Sequence, residues 1–250
     1  MVSAAPRAVY PWPVASPTLD EKRKLLAAVP FFGGLSEKEL EGLMQVARTQ
    51  SLPPRLELFH KKDSGSEVYV VIRGSLKALT TSEEGDDVVF SILGPGELFG
   101  EIAFLGNTTR TATVTALTDC ELLAIDRRDF MAFLKSHPEA AIKLLSVLAK
   151  RLQQVSELVE DTLFLNLPVR LAKKLVHYAA IYGEESPAGE VRIGLKLSQE
   201  EWGDLVGVTR ESINKQMRAW TEEGLISMDH GYVVIHHPEA LEQLAGCVVA

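Results

Sequence analysis

Two short stretches hold residues whose types and spacing can do chemistry. The first is Gly94-Pro95-Gly96-Glu97-Leu98-Phe99-Gly100-Glu101-Ile102-Ala103-Phe104, continuing to Thr109-Arg110-Thr111-Ala112-Thr113-Val114. A glycine lets the backbone come close to a ligand. A short helix opening near Gly100 would point free N–H groups at an anion. Arg110 supplies a fork of donors matched to phosphate, and Thr111 sets a hydroxyl beside it. Glu101 can accept from sugar hydroxyls. Together they describe a pocket for a sugar phosphate carrying one negative charge.

The second stretch is Ser198-Gln199-Glu200-Glu201-Trp202-Gly203-Asp204-Leu205-Val206-Gly207-Val208-Thr209-Arg210-Glu211-Ser212-Ile213-Asn214-Lys215-Gln216-Met217-Arg218. Ser198 and Glu201 form a capping box for one helix. Gly207 turns the chain and Thr209 caps a second helix. Trp202, Leu205, Val208 and Ile213 face inward, which is a helix-turn-helix pattern. The second helix exposes Arg210, Glu211, Asn214, Lys215 and Arg218. Arginine or lysine can read guanine O6 and N7, glutamate can accept from cytosine N4, and asparagine can read adenine. Thr209, Ser212 and Arg218 carry donors of the kind that contact phosphates.

Each stretch needs a scaffold. From Leu56 to Ile125 the hydrophobic period moves towards two, in short runs punctuated by glycine: Glu67–Ile72, Leu76–Leu79, Val88–Leu93, Thr111–Leu117 and Cys120–Ile125. That pattern predicts a small barrel or jelly roll, with the Gly100 stretch as its helical interruption. Asp126 and Asp129 open a helix reaching about Lys135. Pro138 opens a long one, on which Leu145, Leu148, Leu152, Val155, Val159 and Thr162 recur alternately three and four residues apart, a dimer seam. Asn166, with Pro168 behind it, caps the next helix, Leu167 to Tyr182, and marks a hinge. Gly183–Gly189 reads as a loop. Leu225–Met228 and Tyr232–Ile235, joined by Asp229-His230-Gly231, read as a β-hairpin wing. The expected class is therefore α+β: an N-terminal tail (1–20), a barrel domain (21–137), a dimerisation helix (138–165) and a winged helix-turn-helix domain (166–250).

Composition narrows the function. The chain has 250 residues, 46% hydrophobic and 24% charged, with formal net charge −8, so a protein basic all over is excluded but a local basic face is not. No apolar run reaches the length of a membrane span, and residues 1–18 carry four prolines and no export signal. The protein is placed in the cytoplasm, away from membranes. Two cysteines, Cys120 and Cys247, cannot make an iron–sulfur site. His236-His237 reads as a surface pair, because neighbours on a strand point opposite ways; no metal site is expected.

Phe99-Gly100-Glu101 with Arg110-Thr111-Ala112, and Val206-Gly207-Val208-Thr209-Arg210-Glu211-Ser212, appear in the order found in the CRP/FNR family of bacterial transcription regulators. The chain resembles that family over roughly residues 22–245. The resemblance implies a cyclic-nucleotide-binding barrel in which Gly100 and Ile102 offer backbone to the ligand. Glu101 binds the ribose 2′-hydroxyl, and Arg110 and Thr111 hold the cyclic phosphate. Val155 and Ser156 stand where the family reads the base; Val155 replaces the threonine of the cyclic-AMP receptor. The implied effector is cyclic AMP or cyclic GMP. The implied partners are a second copy, double-stranded DNA with a near-palindromic operator, and RNA polymerase. No enzymatic activity is expected. Three alternatives stay open: a haem or gas sensor on the same fold, a constitutive regulator with a vestigial pocket, and an enzyme with a cyclic-nucleotide regulatory domain.

Overall fold

The computed structural model describes Leu26, Ala27, Phe32 and residues 37–246. The N-terminal tail and Cys247 lie outside them. Two compact units are distinguished. Among the described residues, one takes those up to Ser82 together with Phe90–Val155; the other takes Glu83–Val89 and those from Ser156 onward.

In the first unit, α1 (Glu37–Val46) is followed by β1 (Arg48–Leu52), β2 (Glu57–Phe59), β3 (Glu67–Arg73), β4 (Leu76–Thr81), β5 (Asp87–Leu93) and β6 (Leu98–Phe99). Then come α2 (Glu101–Gly106), β7 (Thr113–Ala116), β8 (Cys120–Asp126) and α3 (Arg127–Ser136). Two four-stranded sheets form, in the orders β1-β8-β3-β6 and β2-β7-β4-β5. β3 runs antiparallel to β8 from Glu67↔Asp126 to Arg73↔Glu121. Tyr69 and Val71 of β3 pack with Leu76, Val114, Leu122 and Ala124 between the sheets. Val68, Val70 and Ile72 point the other way, onto Phe104, Phe130 and Leu144. Burial on both faces explains why β3 is a continuous apolar run instead of an alternating one.

The jelly-roll expectation is met, with local differences. β1 has the polar sequence RTQSL, shows only Leu52 to the core and pairs at the sheet edge with β8; nothing in its pattern announces a strand. The strand expected at Thr111–Leu117 begins at Thr113, because Arg110–Ala112 belong to the cassette. Asp126 stands before α3 but its side chain caps nothing.

The long helix α4 (Pro138–Phe164) buries only Ala140 and Leu144 fully. Leu145, Leu152, Val155 and Val159 are exposed, as are Leu163 and Phe164. Leu148, on the same stripe, is half-buried, and Thr162 bonds back to Leu158 O.

The second unit holds α5 (Leu167–Tyr182), β9 (Gly183–Glu185), β10 (Val191–Ile193), α6 (Gln199–Val206), α7 (Arg210–Glu222), β11 (Ile226–Asp229), β12 (Tyr232–Ile235) and α8 (Pro238–Leu244). The Asn166 side chain accepts from Val169 N, as the capping pattern predicts. The wing is larger than a hairpin: the sheet order is β11-β12-β10-β9. Gly183–Glu185, expected as loop, is its far edge, and β10 escaped notice because three residues show no period. His236 is no bare surface residue. Its Nδ1 lies 2.6 Å from Glu190 Oε1 and its Nε2 2.9 Å from Ser227 Oγ, tying the wing strands together.

Candidate functional site

The cassette is built around Gly100. This residue caps α2 with φ 84° and ψ −2°, a left-handed conformation that suits glycine. A Cβ there would stand 2.7 Å from Arg110 Nη1 and 3.2 Å from Glu67 O. Arg110 Nη1 donates to Glu67 O (2.9 Å) and to Gly100 O (3.0 Å). Its guanidinium lies 4.1 Å from the Phe59 ring centroid and 5.4 Å from that of Tyr69. The backbone is held too: Arg110 N donates to Asp63 O and Arg110 O accepts from Lys62 N. So Arg110 is buried, stacked and clamped by groups of the chain itself. Burial lowers its pKa, yet a guanidinium stays charged.

Behind it lies a network that the sequence did not announce. The Tyr69 hydroxyl donates to Glu67 Oε2 (2.7 Å), and Arg48 donates to Glu67 Oε1 through Nε (3.1 Å) and Nη2 (2.5 Å). Burial works to raise the Glu67 carboxyl, but the Tyr69 hydroxyl and the Arg48 guanidinium outweigh it and hold it below the ordinary carboxylate range. Burial and the same carboxylate push the Tyr69 phenol up.

Glu101 is fully buried, and Arg151 of α4 forms an ion pair with its Oε1. Arg151 Nη2 also donates to Leu98 O at 2.5 Å. One carboxylate oxygen of Glu101, expected to accept from sugar hydroxyls, is therefore already taken by Arg151. Arg151 was missed because it is fifty residues away in sequence. The available signal was its position four residues before Val155, hence on the same helical face.

Two buried atoms in the cassette lack hydrogen-bond partners among the described residues: Arg110 Nε and Glu101 Oε2. They are one cationic donor and one anionic acceptor, which is what a phosphate oxygen and a sugar hydroxyl would satisfy. Ile102 and Thr111 sit at the exposed rim, and Val155 and Ser156 are exposed on α4.

In the second unit, Ser198 and Glu201 make the expected capping box, Gly207 turns the chain at φ 72°, and the Thr209 side chain accepts from Ser212 N. Arg210, Glu211 and Lys215 are exposed on α7, while Ile213, Met217 and Trp220 are buried. Four of the residues expected to contact DNA are partly engaged. Asn214 Nδ2 donates to Gln199 Oε1 (2.8 Å), Thr209 and Ser212 share a hydroxyl contact (3.0 Å), and Arg218 pairs with Glu222 (2.9 Å). An exposed ion pair one helical turn apart, such as Arg218–Glu222, is worth only about 0.3–0.5 kcal/mol.

Comparison with known proteins decides the family. Residues 49–137 match the cyclic nucleotide-binding domain model, and residues 169–244 match the Crp-like helix-turn-helix domain model. The cyclic AMP receptor protein of Thermus thermophilus is 30% identical over 216 residues, spanning 86% of this chain and 96% of its own. The chain belongs to the CRP/FNR family of transcription regulators. A CRP-like cAMP-activated global transcriptional regulator of Mycobacterium tuberculosis is 28% identical over 222 residues, 89% of this chain and 99% of its own. The fold matches that of the c-di-GMP-responsive global regulator CLP of Xanthomonas campestris, with a TM-score of 0.70 and 23% identity over 80% of this chain and 99% of that one. As a CRP/FNR protein it is a DNA-binding transcription regulator with a cyclic nucleotide-binding domain, so the Gly100–Thr111 cassette and α7 lie in the two modules that define the family. No helix among the described residues is long and apolar enough to cross a membrane.

Proposed function

We propose that this regulator works as a homodimer whose hold on DNA is set by cyclic AMP bound in the first unit. The observation that carries the reading is the pair of unpartnered buried atoms, Arg110 Nε and Glu101 Oε2, on side chains that the fold has already fixed in place. Arg110 would meet the cyclic phosphate, with Thr111 beside it, and Glu101 the ribose 2′-hydroxyl; Gly100 and Ile102 would offer backbone. Val155 and Ser156 would face the base from the seam. The relatives named for cyclic AMP support adenine over guanine. The exposed stripe of α4 from Leu145 to Thr162 supports the dimer, and a two-fold dimer demands a near-palindromic operator with half-sites about one helical turn apart. Ligand binding changes DNA affinity only through different affinities for two states; Asn166, between α4 and α5, is the proposed pivot. RNA polymerase is the proposed further partner, the cytoplasm the proposed location, and no catalytic role is assigned.

A rival reading has one observation in its favour. Arg151 already neutralises Glu101, as it would in a pocket kept only as structure. Isothermal titration calorimetry with cyclic AMP and cyclic GMP separates the two. Saturable binding of cyclic AMP, lost in Arg110→Ala, supports the proposal. No heat with either nucleotide overturns it, and tighter binding of cyclic GMP overturns the choice of base.

A further inference from the structure

Arg170 has no role in the sites above, yet its surroundings are unusual. It lies one turn into α5, where its N–H donates to Asn166 O at 3.1 Å. Its side chain crosses to the turn between α6 and α7. A Cβ built on Gly207 would lie 3.8 Å from Arg170 Nη1 and meet nothing else within 4 Å among the described residues. Gly207 is exposed, and Thr209, which caps α7, stands two residues on. Arg170 Nε is buried without a hydrogen-bond partner. Among the described residues no ion pair or side-chain hydrogen bond holds the guanidinium.

A stranded buried donor asks for an explanation. A guanidinium with no carboxylate opposite it, ending at an exposed turn, is prepared for an anion from outside. The turn leads directly into the helix that carries Arg210, Glu211 and Lys215, so the nearest anion in a DNA complex is the backbone flanking the groove that α7 enters. Nε is already buried, so less rotamer freedom is lost when the terminal nitrogens bind.

We propose that Arg170 is a phosphate anchor, gripping the DNA backbone beside the α6–α7 turn and supplying affinity without sequence preference. The proposal rests on the DNA-binding role of α7 but concerns a residue outside both helices of the motif. It predicts a contact of the backbone-positioning class.

The test uses the full chain with cyclic AMP, a duplex obtained by repeated selection from a random pool, and an unselected duplex. Fluorescence anisotropy is followed across a series of potassium chloride concentrations. Arg170→Gln should weaken binding to both duplexes by the same factor, roughly tenfold for one charge-assisted contact. It should also flatten the slope of log affinity against log salt by about 0.9, the value for one phosphate neutralised. Arg170→Lys keeps the charge and should keep the slope. Base preference, measured by competition with single-base variants of the selected duplex, should not move. An unchanged salt slope in Arg170→Gln with a lowered melting temperature makes Arg170 a structural residue and overturns the proposal. So does a changed base preference. If the wild-type chain binds neither duplex, it is the DNA-binding role of α7 that fails.

Discussion

Replacing Gly100 by alanine tests whether the cassette is preassembled. The new methyl meets two obstacles. The backbone is left-handed at φ 84°, which costs an L-residue with a side chain about 1–2 kcal/mol. The Cβ would also stand 2.7 Å from Arg110 Nη1 and 3.2 Å from Glu67 O, too close for the guanidinium to stay. Arg110 Nη1 would then leave at least one of the Gly100 and Glu67 carbonyls that it now holds at 3.0 and 2.9 Å. Losing one charge-assisted bond in a buried site adds about 1.5–3 kcal/mol. The sum is roughly 3–5 kcal/mol, or on the order of 10 °C in melting temperature. Gly85→Ala is the control. Gly85 has φ 94° but open space around its missing Cβ, so it carries the backbone cost alone, about 1–2 kcal/mol. Thermal denaturation of both variants, with calorimetry against cyclic AMP, is the assay. Gly100→Ala should be the less stable by about 2 kcal/mol and lose nucleotide binding, while Gly85→Ala binds normally. Equal stability with intact binding in Gly100→Ala would refute the argument that the Gly100 and Glu67 carbonyls hold Arg110 in place.

Three further outcomes are expected. Arg151→Met leaves the fully buried Glu101 carboxylate without its cation and should destabilise by about 3 kcal/mol in urea unfolding. The double variant with Glu101→Gln should recover most of that loss, and failure to recover would mean Arg151 acts through something other than Glu101. Leu152→Glu with Val159→Glu places charge on the exposed apolar stripe of α4. Sedimentation velocity should show a dimer for the wild type and monomers for the variant, and a dimer in both would move the interface elsewhere. The Tyr69 hydroxyl and the Arg48 guanidinium hold the Glu67 carboxyl below the ordinary carboxylate range, so its contribution to stability is present above that range and disappears as pH falls through its lower native value. Glu67→Gln should therefore be less sensitive to acid below about pH 4.5 in denaturant titrations; an identical acid limb would remove Glu67 from the network around Arg110.

Local chemistry was legible in the sequence wherever one residue answers to its immediate neighbours. Ser198 with Glu201, Thr209 at the head of α7 and Asn166 at the head of α5 cap helices through atoms three residues away. A cap needs no distant partner, so its residues can be recognised in place. The same holds for the regular apolar spacing on α4 and for Gly100 and Arg110, whose types and separation describe an anion site. Short polar strands were not legible. β1 and β9 are defined by the strands they pair with and show almost no apolar face of their own.

The interior of the candidate site was decided only by the tertiary structure. Arg110 meets Glu67 O across forty-three residues, and Arg151 meets Glu101 across fifty. Tyr69 and Phe59, which stack around the guanidinium, read as ordinary strand residues. Type and spacing in sequence determined which groups could bind a sugar phosphate. Which of their atoms remain unsatisfied, Arg110 Nε and Glu101 Oε2, depends on side chains brought from β3 and α4. Desolvation and ion pairing are set by all neighbours in space, and sequence order ranks only a few of them.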